Sequence, residues 1–340
     1  MNLSDQPLVT VVTPVYNGEK YLVECIESVL AQTYQRLEYI IVNNRSTDRS
    51  PEIIKAYAEK DGRIRLHNNK EFISAAENHH TGFRQMSPKS KYCKVVHADD
   101  WLFPECIEKM VNLAEENPSV GIVGSYRLDG KWVSLDGLPY PSHVLSGREI
   151  CRAFLLGGPY VFGSPTSLLI RSDIVRNRDP FYDESKFPFF SDTAVCYEIL
   201  QEWDFGFVHQ VLTFTRRHNE PQTATLARRL DIVNHLILLK EYGSLCMDQS
   251  EYERCFQIRL QSYYNYLGNK LSKTWDNNFW NYHRATLDRI GCQLDWTRVF
   301  KAALQEKLDV ILFPAKKMLK RSLPGKERLK DQGASNSASK

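Results

Sequence analysis

The sequence predicts an α/β fold: a mostly parallel, doubly wound sheet flanked by helices, with a helical appendage at the C-terminal end. Three observations predict it. Short β-branched runs alternate with stretches of helical apolar spacing as far as about Asp129. Polar clusters follow directly after three of those runs, where the carboxyl ends of parallel strands would gather them. From Ala224 to Leu271 the pattern turns continuously helical.

The elements follow in order. Leu8 to Val12 is a β-branched first strand, ending in a turn at Pro14 to Gly18. From Glu19 to Gln32, Tyr21, Leu22, Cys25, Ile26, Val29 and Leu30 recur at helical spacing. Leu37 to Val42 is a second apolar run, suited to a buried parallel strand, and it gives way to the polar loop NNRSTDRS. Asp48 or Ser50 can cap the next helix, with Pro51 in its first turn. RIRLH and Tyr92 to His97 are further strands, and SAAENHHTGF between them reads as a loop. LFPECIEKMVNLAEENP is a helix with a proline at each end, and VGIVGSYRL is a fifth strand. Beyond Asp129 a Gly/Pro-rich loop precedes a helix at SGREICRAFLL, a strand and short helix at SPTSLLIRSDIV, and β character at FGFVHQVLTFTRRH. No internal repeat is visible. The expected division is 1–222 for the α/β domain, 223–300 for the helical region and 301–340 for a basic amphipathic segment and tail.

Composition sets bounds on function. Apolar residues make up 42% and charged residues 25%, as in an ordinary globular chain, and a net charge of +3 does not suggest a nucleic-acid surface. The eight cysteines are scattered without a C-x-x-C pair, and no secretory signal is evident, so reduced and mostly buried thiols of a cytosolic protein are expected. No window approaches the roughly 20 apolar residues of a membrane span.

The sharpest chemical signal is His97-Ala98-Asp99-Asp100. Adjacent carboxylates after a buried strand repel one another, and a divalent cation that also bridges to a diphosphate would relieve this. Mg²⁺ or Mn²⁺ suits such oxygen ligands. The same pair could instead cap the following helix, whose first turn holds Pro104. Neither a G-x-G-x-x-G nor a G-x-x-x-x-G-K-[ST] cradle is present, which argues against a dinucleotide oxidoreductase or a P-loop NTPase. The neighbours His79 and His80 lack a third ligand at zinc spacing.

Taken in order, VTVVTPVYNGEKYLVECIESVLAQTY, LEYIIVNNRSTDRS, KVVHADDWLFPECIEKMV, SPTSLLIRSD, PFYDE and SDTAVCYEILQ…FGFVHQVLTFTRRH resemble glycosyltransferase family 2, over roughly the first 220 residues. The resemblance implies a GT-A, Rossmann-like fold and an inverting transfer from a nucleoside-diphosphate sugar, UDP or dTDP favoured. It implies that Pro14, Tyr16 and Asn17 lie against the base and ribose. The family's V-D-D-x-S-T-D loop is here Val42-Asn43-Asn44-Arg45-Ser46-Thr47-Asp48, so two acids have become amides and the hydrogen-bonding set offered to the base has changed. Asp48 is expected to shape the loop. The family's D-x-D carries His97 in its first position. Asp99 and Asp100 then match the ribose and metal positions, and His97 either bonds the nucleotide or is a satisfied strand-end histidine. Asn78 is expected near the nucleotide.

Asp192 matches the family's general base at the start of a helix, with Phe189 and Phe190 beside it to desolvate it; a plain helix cap is the other reading. Phe162 to Pro165 match a sugar- and acceptor-lining region, or for Phe162 the core. One of Arg216 and Arg217, with His218, would clamp the diphosphate, and the site set taken forward holds Arg217 and His218. Asp183 and Glu184 are expected to be structural or acceptor-side. The basic, interrupted stretch LDVILFPAKKMLKRSLPGKERLK fits either peripheral membrane contact beside a lipid-linked acceptor or a solvated tail. A glycan acceptor, a homodimer and a location at the cytoplasmic face of a membrane are expected on the same footing. The changed residues at 43, 44 and 97 leave a nucleotide-sugar-binding scaffold protein as the rival reading, with a nucleotidyltransferase third.

Overall fold

The computed structural model describes residues 6–187, 190–217, 221–271, 276–305 and 307–308. Its β-branched runs become strands because each can bury both faces between helices. In chain order these are β1 (Leu8–Val15), β2 (Leu37–Asn43), β3 (Ile64–Asn68), β4 (Ser90–Val95), β5 (Trp101–Leu102), β6 (Val120–Asp129), β7 (Trp132–Ser134), β8 (Val144–Leu145), β9 (Leu169–Arg171) and β10 (Asp204–Thr215). The helices between them are α1 (Leu22–Leu30), α2 (Ser50–Ala58), α3 (Ala75–Arg84), α4 (Cys106–Glu116), α5 (Gly147–Leu155), α6 (Ser172–Arg176) and α7 (Ser191–Ile199), followed by α8 (Pro221–Cys246).

The sheet runs β3-β2-β1-β4-β9-β6-β10-β5, with β7 added on β6 and β8 on β10. β3, β2, β1 and β4 are mutually parallel, as are β6 and β10, whereas β9 is antiparallel to both its neighbours. The result is a mixed, mostly parallel sheet flanked by helices, as the sequence predicts. The chain builds outward from β1 to β3 on one side and then returns to place β4 on the other. The switch point, where open α/β sheets bind ligands, therefore lies at the carboxyl ends of β1 and β4. Register keeps those ends level: Val15 pairs with Asn43, Asn43 with Asn68 and Val12 with Val95.

One core cluster fills the space between sheet and helices. Val9, Val11, Val15, Tyr39 and Ile41 meet Cys25, Ile26 and Val29 of α1 and Ile107 and Met110 of α4, all fully or almost fully buried. All eight cysteines are free thiols, and six of them are buried.

The segment 74–83, expected as a loop, is instead mostly the helix α3. Ser74 caps it, its hydroxyl accepting from the Glu77 N–H at 3.1 Å. Gly82 lets it press on the sheet: a Cβ there would come within 2.4 Å of Val12 Cγ1.

By internal contacts the chain divides into two units, 1–256 and 257–340. α8 belongs to the first and α9 (Gln249–Leu271) ends in the second. The second also holds α10 (Asn277–Arg289) and a helical stretch at 296–305. It packs around Tyr263, whose hydroxyl bonds Nδ1 of the buried His283 at 2.6 Å. Among the described residues no helix is long and apolar enough to cross a membrane. The basic stretch from Leu308 to Lys330 lies almost wholly outside the described residues.

Candidate active site

A crevice of about 590 Å³ opens at the switch point. Its floor comes from the turn after β1, with Pro14, Tyr16 and Asn17, and from Asn44 after β2. Asn78 and His79 of α3 close one wall, and His97 and Asp99 after β4 close another. Seven of these, all but His79, are residues expected at the site from the sequence.

The loops are held to one another by hydrogen bonds. Asn17 Oδ1 accepts from the Thr47 N–H (2.8 Å), Ser46 Oγ from the Asn17 N–H (3.0 Å) and Ser50 Oγ from the Gly18 N–H (2.9 Å). Asn17 (φ 50°) and Arg45 (φ 58°) both adopt the left-handed conformation that non-glycine residues rarely take, one in each loop. Gly18 sits so close to the turn after β4 that a Cβ would meet that of Ala98 at 3.3 Å. Asp48 shapes the second loop as expected. Although burial alone would raise its carboxyl pKa, hydrogen bonds from Ser50 and from the Glu19 N–H hold it below the usual range.

Asn44 is tied inward. Its Nδ2 donates to the Ile73 carbonyl (2.8 Å), and its Oδ1 accepts from both the Ile73 N–H (3.1 Å) and Asn69 Nδ2 (3.1 Å). Asn69 also donates to Asn78 Oδ1 (2.8 Å). The amides therefore clamp the 69–74 loop against the strand ends.

The turn after β4 separates the two carboxylates. Asp99 lines the crevice, whereas Asp100 is buried. Asp100 accepts from the Thr166 hydroxyl (2.7 Å), the Arg216 N–H (3.0 Å) and, more weakly, the Thr215 hydroxyl (3.4 Å). Burial pushes its carboxyl up, opposed by His97 and the Thr166 bond. Thr166 also accepts from the His97 N–H (3.1 Å), so one hydroxyl braces both ends of the turn. Behind it the buried Lys94 donates to the carbonyls of Thr166 (2.6 Å) and Leu168 (3.1 Å); burial lowers its pKa. Nothing in the sequence pattern flagged Lys94 or Thr166.

His97 and His79 meet at 3.3 Å between their Nε2 atoms, and His79 Nδ1 lies 2.7 Å from the Ala75 carbonyl. A carbonyl only accepts, so Nδ1 carries the proton. Burial and then the neighbouring His97 hold the His79 imidazolium down to about 3.

Arg216 packs against the Asp99–Asp100 turn. Its guanidinium lies 4.0 Å over the Tyr21 ring, donates to the Asp99 carbonyl (3.1 Å) and pairs with Glu24. Arg217 is bonded twice to Asp129, at 2.6 and 2.7 Å, and neither arginine lines the crevice. His218 and Phe189 lie outside the described residues.

Asp192 starts α7, its Oδ1 accepting from the Thr193 N–H at 2.7 Å. Burial raises its carboxyl pKa, while that bond and the charge of His97 pull it down. It is not part of the crevice lining. Phe162 is a core residue, packed on Tyr197 and Phe205. Asp183 accepts from Ser185 and Lys186 as a turn residue.

Among the described residues no three His, Cys, Asp or Glu side chains converge to hold a metal unaided. The donor set still fits Mg²⁺ or Mn²⁺, which bind through one or two carboxylates and complete their shell with water and substrate phosphates.

The chain is similar to known proteins. The model for "Glycosyl transferase family 2" matches residues 10–178. Glycosyltransferase GlyG of Streptococcus pneumoniae is 28% identical over 74% of this chain and 95% of its own. An uncharacterised glycosyltransferase of Rickettsia typhi is 30% identical over 66% and 69%. Of solved structures, S. aureus TarS in complex with UDP-GlcNAc superposes with a TM-score of 0.61 at 14% identity, covering 84% of this chain and 80% of that one. The mannosyltransferase PcManGT of Pyrobaculum calidifontis, in complex with GDP-Man and Mn²⁺, gives 0.53 at 14% identity over 90% and 89%.

Proposed function

Because this chain belongs to glycosyltransferase family 2, and so is a sugar-transferring enzyme, we propose that it takes a sugar from a nucleoside diphosphate and passes it, with inversion, to a hydroxyl of a glycan or lipid-linked acceptor. One observation carries the reading. Tyr16, Asn17, Asn44 and Asp99, carried by the loops after three different strands, line one crevice at the switch point of the sheet.

In a single displacement, Asp192 takes the proton of the acceptor hydroxyl as its oxygen bonds the anomeric carbon. The bond from that carbon to the diphosphate breaks on the opposite face, and its electron pair leaves with the diphosphate. Desolvation keeps the Asp192 carboxylate more basic than an exposed one. When bound at the Asp99–Asp100 turn, Mg²⁺ or Mn²⁺ would neutralise the departing charge. Asp99 faces the crevice; Asp100 would have to exchange one of its internal hydrogen bonds to join it. Arg216, paired with Glu24 beside this turn, would grip the diphosphate by exchanging Glu24 for phosphate oxygens. Tyr16 and Asn17 would hold the nucleoside, UDP or dTDP being the favoured carriers. That TarS binds UDP-GlcNAc and PcManGT binds GDP-Man with Mn²⁺ supports a nucleotide-sugar donor and a cation. Work at the cytoplasmic face of a membrane, as a peripheral protein or a homodimer, belongs to the same proposal.

Asp192→Asn tests it, with free nucleoside diphosphate as the readout. Turnover should fall by about 10²- to 10⁴-fold, the usual worth of a positioned base. Folding should hold or improve, because a neutral amide replaces a carboxylate that burial disfavours. Wild-type turnover in that variant, or full activity in EDTA, would remove the base or the cation from the scheme.

A further inference from the structure

Two aromatic side chains stand exposed at the mouth of the crevice. Tyr16 is 52% and Phe72 62% accessible, and both line the cavity. Their ring centroids lie 4.8 Å apart at an interplanar angle of 60°, edge to face. Exposed aromatic pairs cost hydration and contribute little to a core that is already closed.

The loop that carries Phe72 is held firmly. Asn44 bonds both the N–H and the carbonyl of Ile73, Asn69 ties Asn44 to Asn78, and Arg45 donates to the Lys70 carbonyl (2.8 Å). The Asn69 N–H donates to the Asn43 carbonyl (3.0 Å). Phe72 is therefore presented to the crevice by a braced loop.

The polar groups nearby point to the same use. Asn44 Oδ1 already accepts two hydrogen bonds, and Asn17 Oδ1 is taken by Thr47. Their orientations are fixed by backbone partners, so neither oxygen turns outward. Neither amide oxygen is spare for a ligand. They therefore offer nothing to the N3–H that separates uracil and thymine from cytosine.

We infer that Phe72 is a nucleobase-binding residue which with Tyr16 forms an aromatic jaw, and that the enzyme grips its donor by the face of the base and not by its edge. The rings separate to admit a base, which stacks on one or both. Every base has a π-face, so stacking is tolerant of sequence chemistry, and uridine, thymidine and cytidine diphosphates should bind with similar strength. The inference rests on the nucleotide-sugar reading above and adds to it how the nucleoside is selected.

Calorimetric titration of the full chain with UDP, dTDP and CDP in the presence of Mn²⁺ tests it, comparing Phe72→Ala and Phe72→Trp with the parent. The three affinities should agree within a few-fold in the parent. Phe72→Ala should weaken all three by about tenfold, within the range measured for single base–aromatic contacts, and Phe72→Trp should restore them. Phe72 is exposed, so the melting temperature should not move. Two results overturn the inference alone: affinities indifferent to residue 72, or a preference for one pyrimidine of about thirtyfold or more. If no nucleoside diphosphate binds the parent, the functional reading falls and the inference with it.

Discussion

Thr166 offers the strictest check on how the crevice is built. Replacing it with Val keeps the shape and removes the hydroxyl. Two bonds go: donation to the buried Asp100 (2.7 Å) and acceptance from the His97 N–H (3.1 Å). A hydrogen bond to a charged group is worth about 1.5–3 kcal/mol, and an orphaned buried N–H costs about 1–3 kcal/mol. Asp100 retains the Arg216 N–H, and the Thr215 hydroxyl can close on it from 3.4 Å. The expected loss is therefore near the lower end of the sum, about 3 kcal/mol. In a unit of this size that lowers the melting temperature by about 6–12 °C. Thr166→Ser keeps the hydroxyl and loses one methyl, so it should cost only about 1 kcal/mol. Differential scanning calorimetry of the three proteins, followed by Mn²⁺ titration with UDP present, gives both readouts. The turn should loosen in the valine variant and cation affinity should fall with stability. A shift of less than about 2 °C for Thr166→Val would refute the view that this hydroxyl braces the turn.

The remaining predictions concern charge. Asp99→Ala should abolish Mn²⁺ binding while leaving the melting temperature close to the parent's, whereas Asp100→Asn should lower stability first; calorimetry separates the two, and equal effects would deny the division of labour. Arg216→Ala should weaken nucleoside diphosphate binding by about tenfold or more, as expected for loss of a charge-assisted contact, with Arg217→Ala nearly silent. A reversed order would move the phosphate contact to the Asp129 side. Stability should also depend on acid. Burial holds His79 down to about 3 and His283 to about 4, against 6.5 for a free imidazole. The unfolded chain therefore takes up protons first. Stability is whole above pH 6.5 and drains as pH falls toward the folded values. At pH 5.5 each ring costs about 1.4 kcal/mol, and denaturant titrations on His283→Gln should show that share gone.

Much of the fold was legible because its signals are local. The β-branched runs at Leu8 and Leu37 and the helical spacing from Tyr21 to Leu30 needed no tertiary information. α3 was missed because Asn78, His79, His80, Thr81 and Gly82 are poor helix formers whose helicity is set by packing. A clue was present in Ser74 and Glu77, spaced as a capping box, with the serine hydroxyl now seen on the Glu77 N–H. Thr166 and Lys94 left no trace because their partners lie far along the chain, and a lysine in a strand reads as solvated. The different partners of Arg216 and Arg217 were hidden for a related reason. Neighbours at a strand end face opposite ways, and only the register of β10 on β6, which pairs Thr215 with Asp129, assigns the second arginine to that acid.

The loop after β2 shows why a changed motif need not mean a lost site. Where the family's sequences place acids, this chain has Asn43 and Asn44. At Asn44 the difference is forced by its partner. Ile73 presents both an N–H and a carbonyl to the same side chain, at 3.1 and 2.8 Å. A carboxylate could accept the first but would set its negative oxygen against the second, while an amide matches both. Asn43 makes the same two-sided use of its amide, donating to Asn68 Oδ1 (2.9 Å) and accepting from the Ser46 N–H (3.0 Å). The amides therefore buttress the loop from within. That buttress holds Phe72 opposite Tyr16, so the residues that look like losses at the edge of the base are the ones that make a grip on its face possible. Asn44→Asp should then act at a distance: it should free the 69–74 loop and weaken every pyrimidine nucleotide together, as Phe72→Ala does. A gain of uridine selectivity in Asn44→Asp, with the loop still ordered, would show the side chain reading the base directly and would break the argument.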